Sequence, residues 1–279
     1  MSIFGIASKR ERIGDKDIAR LPEHSASSPL SVHSMTVAYN QRPVLWDVEY
    51  DAPSNALIAV VGPNGAGKST FIKACLQLVP KVSGAVSFWG EDYRKVRKKV
   101  GYVPQRETVD WDFPVSVLDV VCMGRYGHIG WCKPVTRKHK EIALQHLDSV
   151  GMIDFANRQI TQLSGGQQQR VFLARALAQE ATLYFMDEPF AGVDATTEKA
   201  IVEILRNLRD NNCTVICVHH DLPTVKDYFD HVLLMNTHVI ANGPTADVFT
   251  PENLQKTYGG RLTLLDEAAQ ALSLGRKER

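Results

Sequence analysis

The 279-residue chain has no apolar run near the roughly 18 residues that a membrane-spanning helix requires. Runs such as the one from Ala56 to Val61 are far shorter, so the expectation is a chain that does not cross a membrane itself. Nor is there an excess of charge of one sign. With 32 Lys and Arg against 31 Asp and Glu the formal net charge is +1, which argues against a nucleic-acid binder relying on a basic surface. The five cysteines, Cys75, Cys122, Cys132, Cys213 and Cys217, form no C-x-x-C pair and are odd in number, which excludes a disulfide framework and suits a reducing cytoplasm. The spacing of Cys122, His128, Cys132 and His139 matches none of the common zinc frameworks. No internal repeat and no run of heptads is present, which argues against a long coiled coil. Residues 1–29 contain Lys9-Arg10-Glu11-Arg12 without the apolar core of a secretory signal, and read as a polar tail.

What is present is hydrophobic content of 44%, enough for a substantial core, and a glycine-rich loop in a telling place. Gly62-Pro63-Asn64-Gly65-Ala66-Gly67-Lys68-Ser69-Thr70 follows the apolar run Leu57 to Val61, where a strand gives way to a helix. The glycines let successive N–H groups turn toward phosphate oxygens, and the following helix points its positive end at the same place. Lys68 is then placed to reach the β- and γ-phosphates of a nucleoside triphosphate, and the Ser69 hydroxyl to coordinate Mg²⁺.

A metal-holding acid and a base for water are the next requirement. Leu183-Tyr184-Phe185-Met186-Asp187-Glu188 supplies both at the end of a buried strand. Side chains alternate along a strand, so the two carboxylates are expected to diverge while strand geometry lasts. Asp187 is the expected Mg²⁺ partner and Glu188 the base that accepts a proton from attacking water, with Pro189 ending the strand. Leu163-Ser164-Gly165-Gly166-Gln167 opens a second helix, with Ser164 as N-cap and glycines that permit close backbone approach. A second helix N-terminus suited to anions therefore lies far along the chain from the first.

These elements together resemble the ATP-binding cassette (ABC) ATPases, over about residues 30–260. The resemblance implies an α/β fold: a P-loop NTPase core with a mostly parallel sheet, an antiparallel β-subdomain and an inserted helical lobe at about residues 106–170. Short tails at residues 1–29 and 261–279 complete that organisation. The cofactors implied are ATP and Mg²⁺. By the same resemblance Tyr39 stacks on adenine, Gln105 contacts Mg²⁺ and the attacking water, and His220 contacts the γ-phosphate. Asp194 belongs to the loop that crosses between two cassettes. His219, one residue from His220, is expected to face the opposite way and to be structural. The catalytic set is thus Glu188, Lys68, His220 and Gln105. The metal set is Ser69, Gln105 and Asp187.

In this family Ser164, Gly165, Gly166 and Gln167 complete the site of a second copy, which implies a head-to-tail homodimer with ATP trapped between Lys68 of one chain and Ser164 of the other. Translation factors of the superfamily carry two cassettes per chain, and the chromosome-maintenance ATPases carry coiled coils. One cassette without either points to an importer, with its membrane-spanning permease subunits on separate chains, a solute-binding protein as indirect partner and no nucleic acid. An importer of another small solute and a soluble non-transport ATPase are the alternatives. Residues 102–131 are similar to those of the bacterial manganese, zinc and iron uptake ATPases, where they help to form the groove for a cytoplasmic helix of the permease. That similarity implies apolar anchors at Trp111, Phe113, Met123, Tyr126 and Trp131, a charged one at Arg125, and a peripheral location on the cytoplasmic face of the inner membrane.

Overall fold

The computed structural model describes residues 28–40, 42–105, 114–130 and 133–259. Two antiparallel strands, β1 (Ser31–Tyr39) and β2 (Arg42–Asp51), join at Tyr39 and Arg42. The fully buried β3 (Leu57–Val61) leads through the glycine loop into α1 (Lys68–Cys75). After β4 (Ser83–Ser87), α2 (Tyr93–Val96) and β5 (Val100–Val103), the chain turns helical. Helices α3 (Val117–Met123), α4 (Tyr126–Ile129), α5 (Arg137–Ser149) and α6 (Gly165–Leu177) follow. The second half alternates β6 (Leu183–Asp187), α7 (Ala195–Asp210), β7 (Thr214–Val218), α8 (Val225–Tyr228) and β8 (His231–Asn236). It closes with β9 (His238–Pro244), α9 (Thr245–Val248) and α10 (Pro251–Tyr258).

The strands form two sheets, one of three strands ordered β2-β1-β4 and one of six ordered β5-β6-β7-β3-β8-β9. Every described neighbour pair of the larger sheet is parallel except β8 with β9. That is the mixed architecture expected, and it follows from strands apolar on both faces. Leu57, Ala59 and Val61 look into one core, while Ile58 and Val60 look into the other. The same alternation divides Val215 and Cys217 from Ile216 and Val218, and Tyr184 and Met186 from Leu183 and Phe185. One core is roofed by α3, α5, α6 and α7; the other is filled by α1 and the antiparallel sheet. Cys213 and Cys217 share one side, buried as small apolar groups, and β7 begins one residue after Cys213.

Two consequences place the functional groups. The parallel strands β3 and β6 end side by side across β7, so the glycine loop after Val61 and the carboxylates after Met186 emerge on one edge of the sheet. Gly62 is required there, because a Cβ at this position would lie 2.0 Å from the Met235 carbonyl oxygen. Helix α6 packs with α3 and α5 in the roof, which brings its N-terminus and the Gly192 loop together away from the glycine loop.

Candidate functional site

Helix α1 starts without any side-chain cap. Its N-cap is Gly67, with φ 90° and ψ 9°, a conformation open to glycine at no steric cost. A Cβ there would also press to 2.5 Å from Leu45 Cδ2. The first-turn N–H groups thus have no internal acceptor, which is the arrangement that binds phosphate. Around them lies a cleft of about 560 Å³ lined by Asn64, Gly65, Ala66, Gly67, Lys68, Ser69 and Thr70, and on the far wall by Gln105, Glu188 and His220. The four catalytic residues expected from the sequence share this one cleft. Lys68 is buried and donates to the carbonyl oxygens of Gly62 at 2.7 Å and Pro63 at 3.0 Å. Burial pulls its pKa down, opposed by Glu188 and Asp187. It is a cation held in reserve by neutral dipoles, free to exchange them for a stronger anionic partner.

Asp187 is completely buried at the end of β6. Its Oδ1 accepts from the Ser69 hydroxyl at 2.8 Å, whereas its Oδ2 has no partner among the described residues. Burial pushes its pKa up, with the Ser69 hydrogen bond acting the other way. A buried carboxylate oxygen left without a donor needs a ligand. Together with the Ser69 hydroxyl it gives a hard oxygen set that fits Mg²⁺, and no cysteine or methionine is among the described residues that line the cleft. Glu188 departs from the strand: its φ is 55°, in the left-handed region. The alternation expected between the two carboxylates therefore does not govern them, and both act on Lys68. A non-glycine residue there, just before Pro189, stores backbone strain of the kind found at reacting groups. Gln105 Nε2 donates to Glu188 Oε2 at 3.3 Å, fixing the orientation of this carboxylate.

His219 and His220 separate as alternation requires. His220 lines the cleft. His219 is buried against Phe190 and Phe229, with Nε2 2.7 Å from the Thr224 hydroxyl. Burial drives its pKa down to about 4, so it stands neutral in the core.

The motif Ser164 to Gln167 lines a second cleft, of about 360 Å³, with no residue in common with the first. Ser164 and Gln167 form a reciprocal capping box: the Ser164 N–H donates to Gln167 Oε1 at 2.9 Å, and the Gln167 N–H to Ser164 Oγ. Gly166 allows the close approach foreseen for it, since its Cβ would meet the Gly192 carbonyl oxygen at 2.8 Å. Asp194 lies in this cleft and caps α7, accepting from the N–H groups of Thr196 and Thr197, both at 3.0 Å. These bonds, that of Thr197 first, hold its carboxyl below the usual range. Arg170 and Thr197 also line the cleft, although nothing marked them in the sequence except position.

Tyr39 is exposed at the end of β1 and does not line the phosphate cleft, which has Val44 there instead. Val44 was not anticipated; its place one residue before the core residue Leu45 is the signal that could have found it. Arg125 corrects an expectation. Rather than an exposed anchor, it is 4% exposed, with Nη1 donating to the Ala178 carbonyl and to Glu180, each at 2.6 Å. His139 faces its Nε and His128 faces the Gln179 carbonyl, so both histidines have partners other than a metal. Met123 and Tyr126 line a third concavity, while Trp111, Phe113, Trp131 and Cys132 lie outside the described residues.

The family model for the ABC transporter matches residues 45–191. Over 250 residues the chain is 58% identical to the manganese transport system ATP-binding protein of Bacillus subtilis (strain 168), covering 90% of this chain and 99% of that protein. It is 54% identical to the zinc transport system ATP-binding protein of Treponema pallidum (strain Nichols), over 84% of this chain and 88% of that one. Among solved structures, a metal-chelate type ABC transporter in an inward-facing conformation matches with a TM-score of 0.72 at 30% identity, covering 83% of this chain and 88% of that one.

Proposed function

The chain belongs to the ABC transporter family, and from that premise we propose that it is the ATP-hydrolysing subunit of an importer for a divalent transition metal, manganese, zinc or iron. The observation that carries the catalytic half is the single cleft holding Lys68, Ser69, Gln105, Glu188 and His220 around an uncapped helix N-terminus. The choice of cargo is supported by the relatives, manganese and zinc transport proteins at 58% and 54% identity.

In the proposed mechanism the α1 N–H groups and Lys68 hold the β- and γ-phosphates of ATP, with Lys68 exchanging its loop carbonyls for phosphate oxygens. Ser69, Gln105 and Asp187 would hold Mg²⁺, whose positive charge would offset that of the phosphates. Glu188, oriented by Gln105, accepts the proton of an attacking water at Oε, and His220 donates to the γ-phosphate. Tyr39 supports the adenine. Ser164, Gly165, Gly166 and Gln167, in a cleft of their own, act on the ATP of a second copy, so that binding closes a head-to-tail dimer and hydrolysis reopens it. No helix of the described residues is long and apolar enough to cross a membrane. Because the relatives are ATP-binding proteins of transport systems, the proposed importer has its membrane-spanning subunits on separate chains, with this ATPase peripheral on the cytoplasmic face and a solute-binding protein delivering the metal from outside. The concavity lined by Met123 and Tyr126 is the docking place for the permease.

Uptake tests the reading directly. A deletion strain with no second uptake system should fail to grow under chelation, recover with added metal, and lose accumulation of one of radioactive manganese, zinc or iron. Unchanged accumulation of all three would overturn the cargo while leaving the ATPase in place.

A further inference from the structure

A phosphate loop binds well only if its N–H groups already point at the phosphate, and a loop so turned presents carbonyls on its outer side that need donors of their own. In this chain a donor comes from the hairpin of β8 and β9. The two strands join at Thr237, whose φ of 62° is left-handed, and their register shifts between Leu234 and Met235. Residues 235–237 touch the glycine loop at both ends. At its entrance Gly62 lies flat against the Met235 carbonyl, where a Cβ would come to 2.0 Å. Near its exit the Thr237 N–H donates to the Ala66 carbonyl at 3.0 Å. The Thr237 carbonyl in turn accepts from the Trp46 N–H at 2.8 Å, which ties the same residue to β2.

The hairpin is itself held from behind. Asn236 is half-buried, and its Nδ2 donates at 3.0 Å to the Thr257 carbonyl in the last turn of α10. That acceptor stands on a fixed element. Thr257 is completely buried, its hydroxyl donates to the Asn253 carbonyl at 2.7 Å, and the helix starts at a Thr250 cap followed by Pro251. The neighbouring Tyr258 reaches the loop entrance: burial pushes its hydroxyl up to about 12, with the Gly62 N–H acting the other way. Both the hairpin and α10 lie beyond residues 45–191, the span matched by the family model.

We propose that Asn236 is a positioning residue for ATP binding: by tying the hairpin tip to α10 it keeps the Thr237 N–H on the Ala66 carbonyl, and so holds the phosphate loop in its receiving shape before nucleotide arrives. The inference rests on the ATP-site reading and adds the element that preorganises the site. A loop fixed in advance loses less freedom on binding, so the effect falls on affinity rather than on the chemical step. Linkage makes it reciprocal: what α10 does for the nucleotide, the nucleotide does for α10.

The test combines steady-state hydrolysis of the purified full chain with titration and hydrogen exchange using ADP, which fills the phosphate loop without turning over. Asn236→Ala and the isosteric Asn236→Asp, which has no proton to donate at neutral pH, are each expected to weaken ADP binding and raise KM for ATP by about fivefold, the effect of one lost hydrogen bond. Turnover at saturating ATP should stay within about twofold. In the unaltered chain ADP should slow exchange of the Thr237 and α10 amides more than that of the α5 amides, and Asn236→Ala should remove the difference. Asn253→Ala controls for stability alone. It deletes a side-chain bond to the Val248 carbonyl in the first turn of the same helix, and should lower the melting temperature while leaving ADP affinity within about twofold. Unchanged ADP affinity in both folded Asn236 variants would overturn the inference, as would a loss no larger than that in Asn253→Ala. If neither Asn236 variant folds, exchange in the unaltered chain decides, and α10 amides slowed no more than those of α5 would overturn it. An unaltered chain that binds no nucleotide would overturn the ATP-site reading itself.

Discussion

Two helix N-termini in this molecule are offered to anions, and they are built differently. Helix α1 begins at a left-handed glycine with its first N–H groups uncapped, and around it stand a lysine, two carboxylates, a glutamine and a histidine. Helix α6 begins at a serine locked with Gln167 in a capping box, and among the described residues the one acid lining its cleft, Asp194, is already occupied in capping α7. In the proposed mechanism the first terminus supplies the groups that bind and cleave a triphosphate, but its cleft is open on one side. The second has hydrogen-bond donors and no chemistry. Each lacks what the other has, and a second copy of the chain placed head to tail is the simplest way to supply it.

The comparison breaks most severely at Lys68. Lys68→Ala removes the fixed counter-charge of the phosphates, and kcat/KM for ATP should fall on the order of 10⁴-fold, part in binding and part in turnover. Steady-state hydrolysis and nucleotide titration of the purified variant check both parts. Glu188→Gln keeps shape but cannot take a proton; a fall of roughly 10³-fold in kcat with nearly unchanged ATP affinity is expected. A parallel loss of affinity would mean that Glu188 holds the nucleotide rather than the water.

Ser164→Arg sharpens the contrast from the other side. It should leave ATP binding by the isolated chain within about twofold, since the clefts share no residue, yet reduce hydrolysis by about tenfold or more by blocking closure. Equal loss of binding would place Ser164 within its own chain's ATP site. The smallest effect belongs to His219. Its folded pKa near 4 lies below the ordinary value of 6.5, so between those pH values the unfolded chain holds a proton that the folded chain does not. Stability carried by neutral His219 is therefore complete above pH 6.5 and is lost as pH falls toward 4. Denaturant midpoints measured across this window should decline less in His219→Gln than in the parent, with the two slopes equal above pH 7.

Much of this was legible in the sequence because the constraints are local. A phosphate loop must be glycine-rich where a strand meets a helix, and the strands Leu57–Val61, Leu183–Asp187 and Thr214–Val218 announce themselves as continuous apolar runs. Pairings across the chain were less visible. Nothing near Arg125 in sequence tells that it is buried against Ala178 and Glu180, 53 and 55 positions away. The left-handed turn at Glu188 is likewise a property of the surroundings rather than of a glutamate before a proline. The concavity beside Met123 and Tyr126 likewise gathers Arg97, Lys98, Lys133 and Arg175 from three separate segments, each unremarked alone.

The account depends most on the two clefts being halves of one site. Sedimentation of Glu188→Gln with and without ATP and Mg²⁺, beside the same variant carrying Ser164→Arg, tests this directly. The expected result is a dimer only for Glu188→Gln with ATP, and a monomer that still binds ATP for the double variant. A Glu188→Gln chain that binds ATP yet stays monomeric at all concentrations, or a double variant that dimerises as well as the single one, would contradict it.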